Sequence, residues 1–101
     1  MCEDARDPAD TADARTGFIL RGRVQGVGFR WWTREAAGLL GLRGTVRNRA
    51  DGSVEVHVAG SARRVRQFAA MLRSGPPPAR VDRVEEIPCD PALPPDFQVL
   101  F

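Results

Sequence analysis

Lysine is absent from the 101 residues, and all 15 basic side chains are arginine. Without lysine the chain cannot form a Schiff base or use the lysine of a Walker-type phosphate loop. Cysteine is also scarce, because Cys2 and Cys89 are too few for a disulfide framework. Together with a single histidine they cannot supply a structural zinc site. The sequence therefore excludes a Schiff-base mechanism, a Walker-type phosphate lysine and a structural zinc site.

Long apolar runs are missing as well, and no stretch approaches the length that crosses a bilayer. The N-terminus carries acidic residues where a signal peptide needs an apolar segment. We therefore expect no membrane contact. Because the two cysteines suit a reducing compartment, we also expect a cytoplasmic location. A chain of this length, 43% hydrophobic, predicts one domain with a modest core and a shallow site.

Charge divides the sequence into two unequal parts. Residues 1–15 contain five acidic residues against Arg6 and Arg15, a net charge of −3, which leaves residues 16–101 at +5. The first part has almost no large apolar side chains to offset the entropy of ordering, so we predict a flexible acidic leader over residues 1–15. The domain predicted over residues 16–101 is basic and suited to an anionic ligand.

The hydrophobic pattern first predicts a strand, a helix and a hairpin. Period-2 alternation predicts a strand from Thr16 to Val24, and a 3.6-residue period predicts a helix from Arg30 to about Leu40. Residues 43–50 and 53–59 flank Asp51-Gly52, a dipeptide typical of hairpin turns because it tolerates positive φ.

The second half predicts a helix and two more strands. Ser61 can cap a helix that ends at the glycine and prolines of residues 75–78, followed by strands over Arg80–Ile87 and Phe97–Phe101. The order βαββαβ with a terminal strand predicts an α+β fold. We expect a two-layer ferredoxin-like α/β sandwich with an antiparallel sheet and both helices on one face.

A glycine loop lies between the first strand and the first helix, where residues 22–30 read GRVQGVGFR. A helix N-terminus offers unpaired N–H groups and a partial positive charge, and glycines let successive N–H groups converge on an anion. Arg30 adds a guanidinium that can bind two phosphate oxygens at once. These residues predict an anion site, although Gly-x-Gly alone also occurs in ordinary tight turns.

A second motif accompanies this loop: residues 41–48 read GLRGTVRN, and the Asp51-Gly52 turn follows. Asn48 ends a strand that we expect beside the first strand. Together the two motifs resemble the acylphosphatase family. The resemblance covers about residues 17–101, including PARVDR at 78–83 and FQVLF at 97–101. Thr45 stands where the family usually has tryptophan, so we expect different local packing there.

The resemblance implies an enzyme that hydrolyses small-molecule acyl phosphates without a metal or other cofactor. Arg30 matches the family's phosphate-binding arginine, and Asn48 matches its water-positioning asparagine. The phosphate-binding loop implied by the match consists of Gln25, Gly26, Val27, Gly28, Phe29 and Arg30. We expect a monomer that binds no nucleic acid.

Two alternatives stay open at this point. Ferredoxin-like sandwiches also serve as non-catalytic anion-binding or RNA-binding modules. However, the outward positions of the third strand, Ser53, Glu55 and His57, provide no aromatic stacking platform. Acylphosphatase-like domains also open larger carbamoyl-transferring maturation proteins, but we expect a free-standing enzyme because the chain stops at Phe101.

Three further residues have simpler interpretations. Alternation places His57 on the outward face of its strand, so we predict a solvated histidine outside the site. Trp31 lies off the apolar face of the first helix, and we favour a surface position over a place beside the substrate pocket. Thr33 is expected to bond the local backbone.

Overall fold

The computed structural model describes residues 12–101, which form five strands and two helices in the predicted order. The elements are β1 (Asp13–Arg23), α1 (Phe29–Leu39), β2 (Arg43–Asn48), β3 (Val54–Ser61), α2 (Ala62–Ser74), β4 (Arg80–Ile87) and β5 (Phe97–Leu100). Within this part of the chain, no helix combines the length and the apolar character that a membrane crossing needs.

The sheet has the order β4-β1-β3-β2-β5. The pairs β1–β3, β1–β4 and β2–β3 are antiparallel, whereas β5 lies parallel to β2. The sheet is therefore mixed, and the prediction of an antiparallel sheet is wrong for its last strand. β5 does run opposite to β4, the strand before it, but residues 88–96 carry the chain across the sheet to the far edge. There its neighbour is β2, which runs in the same direction.

The core lies between the sheet and the two helices. Alternate residues of β3, namely Val54, Val56 and Val58, are fully buried and join one cluster with Phe68 of α2 and Ala36 of α1. Because a strand turns alternate side chains to one face, this single cluster shows that both helices cover the same face of the sheet. The two-layer α+β arrangement is confirmed.

β1 begins at Asp13, three residues before the boundary between leader and domain that the composition predicts. Residues 13–15 pair with Ala59, Gly60 and Ser61 of β3. Backbone hydrogen bonds to β3 order residues 13–15, so these residues belong to the domain. A boundary predicted from apolar content alone does not take this pairing into account. Ala12 is also described, and its carbonyl accepts from the Ala62 N–H at 2.8 Å. Residues 1–11 of the predicted leader lie outside the described residues.

His57 is buried on the sheet face opposite the helices, so the prediction of a solvated histidine is wrong. The backbone N–H of Asp90, in the segment that crosses the sheet, donates to Nδ1 of His57 at 3.0 Å. The proton then lies on Nε2, which donates to Oε2 of Glu55 at 2.6 Å. Burial raises the pKa of Glu55, but hydrogen bonds from His57 and Arg47 outweigh it and hold that pKa below its usual value.

Candidate active site

The candidate site lies at the end of the sheet where three strands have their carboxyl ends. β3 is antiparallel to both β1 and β2, and β5 is parallel to β2, so β1, β2 and β5 all run in one direction. Their carboxyl ends therefore lie at the same end of the sheet. The expectation that β2 lies beside β1 is wrong, because β3 separates them. The shared direction nevertheless brings the loop after β1, the end of β2 and the C-terminus together.

The loop after β1 leaves the N-terminus of α1 unmasked. Gly26 and Gly28 both have φ of 75°, a left-handed conformation that favours glycine. Gly28 is the N-cap residue, no side chain caps the helix, and its first turn contains no acidic residue. The first-turn N–H groups have no intrahelical acceptors, and no acidic side chain in that turn offsets the partial positive charge. This helix end is suited to an anion.

A cavity of about 230 Å³ opens at this helix end. Five of the site residues predicted from the sequence line it, and they are joined by Val24 and Trp31. The predicted residues are Gly26, Gly28, Phe29, Arg30 and Asn48. Gln25 and Val27, which the match to the family includes in the loop, do not line the cavity. The structure thus brings the two sequence motifs to one place.

Asn48 occupies the last position of β2 and faces the helices. Its partner across the strands is Val54, whose side chain is buried in the core, and paired residues point to the same face of a sheet. The Oδ1 atom of Asn48 is buried and has no hydrogen-bond partner among residues 12–101. A buried carbonyl oxygen without a partner is costly, so it marks a position for a donor from outside the chain.

Arg30 lies at the mouth of the cavity, half-buried in the first turn of α1. One terminal nitrogen donates to the Leu100 carbonyl at 2.9 Å, and the guanidinium carbon lies 4.7 Å from the ring centroid of Phe101. The C-terminal residues therefore hold this side chain beside the helix N-terminus. A single bond to a carbonyl leaves other guanidinium N–H groups for an anion.

Gln25 has a supporting position that the sequence does not reveal. Its side-chain amide donates to the carbonyls of Arg49 and Ser53, both at 2.8 Å, and so ties the glycine loop to the β2–β3 turn. Asp51 orders that turn by accepting from the hydroxyl and the backbone N–H of Ser53. Hydrogen bonds from Ser53 hold the pKa of Asp51 well below its usual value, and a hydrogen bond from Arg21 lowers that pKa by a smaller amount.

Three other residues complete the comparison with the sequence. Trp31 lines the cavity, so the preference for a surface position away from the pocket is wrong. Thr33 is buried and its hydroxyl donates to the Phe29 carbonyl at 2.8 Å, which confirms the expected local bond. Thr45 pairs with His57 on the opposite face of the sheet and does not line the cavity.

The arrangement combines an unmasked helix N-terminus, a guanidinium and a buried acceptor around one small cavity. Within residues 12–101, no three His, Cys, Asp or Glu side chains are grouped closely enough to hold a metal ion. The family model named Acylphosphatase matches residues 16–99. The chain belongs to the acylphosphatase family. The resemblance based on residues 22–30 and 41–48 is confirmed.

Curated relatives in this family include bacterial acylphosphatases. The acylphosphatase of Nitrobacter hamburgensis is 57% identical over 71 residues, which cover 70% of this chain and 72% of that protein. The acylphosphatase of Mycolicibacterium smegmatis is 49% identical over 72 residues, covering 71% and 74% of the two chains.

Solved structures show the same fold. The acylphosphatase of Coxiella burnetii has a TM-score of 0.81 at 32% identity, covering 87% of this chain and 93% of that chain. HypF from T. kodakarensis has a TM-score of 0.71 at 32% identity, covering 85% of this chain but 12% of that one. The acylphosphatase fold thus occurs both as nearly a whole chain and as one segment of a longer protein.

Proposed function

We propose that this acylphosphatase-family protein hydrolyses acyl phosphates to a carboxylate and inorganic phosphate in the cavity between the glycine loop and Asn48. The observation that supports this most strongly is the buried Oδ1 of Asn48, an acceptor without a partner beside an unmasked helix N-terminus. A water molecule that donates to Oδ1 stands next to the place where a phosphate binds. The names of the curated relatives agree with this reaction.

The phosphate group is bound by the first turn of α1 and by Arg30. The N–H groups around Gly28 and the guanidinium of Arg30 line the same cavity and present donors to the phosphate oxygens. These donors are fixed before substrate arrives, because the glycine loop is tied to the β2–β3 turn through Gln25. Fixed donors stabilise the charge that develops on the equatorial oxygens in the transition state.

The attacking water is oriented by Asn48. The water oxygen forms a bond to phosphorus while the bond from phosphorus to the acyl oxygen breaks, and the carboxylate leaves with the bonding electrons. An amide is not a strong base, so the water protons pass to the phosphate itself. The leaving carboxylate is a weak base and needs no general acid. Catalysis then depends on placement and charge stabilisation.

The proposal includes independence from divalent metal ions. Arg30 and the backbone donors supply the positive charge that a metal ion provides in many phosphoryl-transfer enzymes. We therefore expect phosphate release from benzoyl phosphate to proceed at the same rate with and without EDTA. Protein prepared in EDTA is assayed with and without added Mg²⁺. Activity lost on chelation and restored by the metal would overturn this part of the proposal.

A small-molecule substrate also agrees with the face of the sheet opposite the helices. That face carries Ile19, Glu55 and His57 on the central strands, and Arg47 pairs with Glu55 at 2.9 Å. These described positions on β1 and β3 carry no exposed aromatic side chain on which a base could stack. We therefore propose that the protein does not bind nucleic acid. Its monomeric state and cytoplasmic location stay predictions from the sequence.

A further inference from the structure

An exposed apolar cluster lies at the mouth of the cavity. Within residues 12–101, four large hydrophobic side chains are exposed, and two of them are Trp31 at 53% and Phe101 at 92%. Trp31 lines the cavity, and the Phe101 ring is in contact with Arg30. Exposed apolar side chains grouped beside a pocket with polar binding groups are typical of a ligand site.

The two aromatic rings form one surface. The ring centroids of Trp31 and Phe101 lie 6.3 Å apart and their planes are inclined by 53°, a favourable geometry for an aromatic pair. Arg30 joins this surface to the anion-binding end of the cavity, because its guanidinium lies over the Phe101 ring. The polar donors thus lie next to the aromatic rings, just as the phosphate lies next to the acyl group in an acyl phosphate.

We propose that Trp31 and Phe101 form a subsite for the acyl group, so that the enzyme prefers acyl phosphates with an aromatic or large apolar acyl group. This inference rests on the function proposed above. One oxygen joins the acyl carbon to phosphorus, so a phosphate held at the N-terminus of α1 places the acyl group near Trp31, the neighbour of Arg30. A ring lying against the two aromatic side chains leaves water, whereas an acetyl group has too little surface to reach both.

The same surface is too small for a stable protein partner. Protein interfaces bury surface from about 20–30 residues a side, whereas this cluster has two exposed side chains. The aromatic surface is continuous with the cavity, which indicates one ligand that occupies the surface and the cavity together. The acyl half of the substrate is the ligand that meets this condition.

The test compares kcat/KM for benzoyl phosphate and for acetyl phosphate. We expect the parent protein to favour benzoyl phosphate, and Trp31→Ala to lower the ratio of the two values about tenfold. That change equals about 1.4 kcal/mol, the contribution of roughly 55 Å² of buried apolar area. Trp31→Phe restores most of the ratio because it keeps an aromatic face. Leu39→Ala is the matched control, since Leu39 is 81% exposed on the same helix and does not line this cavity.

The outcomes separate this inference from the function on which it rests. If the parent hydrolyses neither substrate, the proposed function fails. If it hydrolyses both and Trp31→Ala lowers both kcat/KM values by the same factor, the function stands and the acyl subsite is wrong. The inhibition constant of inorganic phosphate, which has no acyl group, gives a second readout. A rise in that constant as large as the loss on benzoyl phosphate would show that Trp31 acts on phosphate binding and would overturn the proposal.

Discussion

Asn48→Ala is expected to lower kcat by roughly 100-fold or more, the scale seen when a fixed group that acts in the transition state is removed. The change deletes the buried Oδ1 that has no partner among residues 12–101, while the α1 N-terminus and Arg30 stay in place. Binding of inorganic phosphate should therefore persist. In kinetic terms, kcat and kcat/KM fall together while ground-state affinity changes little. Steady-state rates and the inhibition constant of phosphate measure the two effects.

Two variants control for a general effect of losing an amide. Asn48→Asp should be no more active than the alanine variant, because a carboxylate beside a bound phosphate adds repulsion between like charges. Gln67→Ala removes an amide that is exposed on α2 and does not line the cavity, so it should behave as the parent. An Asn48→Ala protein with an unchanged melting temperature and a near-parent kcat would remove Asn48 from the mechanism.

Arg30→Ala and Arg30→Lys should both disable the enzyme, but mainly by weakening phosphate binding. Charge-assisted hydrogen bonds contribute about 1.5–3 kcal/mol each, so we expect the alanine variant to raise the inhibition constant of phosphate by roughly 10- to 100-fold. Lysine keeps the charge but cannot present two parallel donors, so it should restore only a small part of the affinity. Phosphate inhibition and kcat/KM on acetyl phosphate measure the loss.

The arginine control uses a side chain away from the cavity. Arg63 is exposed on α2, and Arg63→Lys makes the same chemical change outside the site. It should leave phosphate affinity as in the parent. A melting temperature near that of the parent shows that the Arg30 variants are folded. If Arg30→Lys then binds phosphate as tightly as the parent does, the paired-donor role of Arg30 is wrong.

The elements and most of the residues that line the cavity could be predicted from the sequence because their signals are local. Alternating valines place β3, the Asp51-Gly52 dipeptide places the hairpin, and residues 80–87 form β4 as predicted. The glycine loop and Asn48 are each visible as short motifs. They meet in one cavity because β1 and β2 run in the same direction, with β3 between them and antiparallel to both.

What the sequence could not predict depends on contacts between distant segments. The direction of β5 and the burial of His57 both follow from the path of residues 88–96 across the sheet, and no local pattern records that path. Gln25 bonds carbonyls 24 and 28 residues away. Trp31 lines the cavity, and its ring packs against that of Phe101, which lies at a distant position in the sequence.

The central claim, that water oriented by Asn48 attacks phosphorus, is tested most directly by hydrolysis of benzoyl phosphate in water enriched in oxygen-18. Mass spectrometry of both products, taken at early times, shows where the label enters. Attack at phosphorus places one labelled oxygen in the inorganic phosphate and none in the benzoate, which is the expected result. Label in the benzoate would show attack at the acyl carbon and would contradict the proposed role of the cavity.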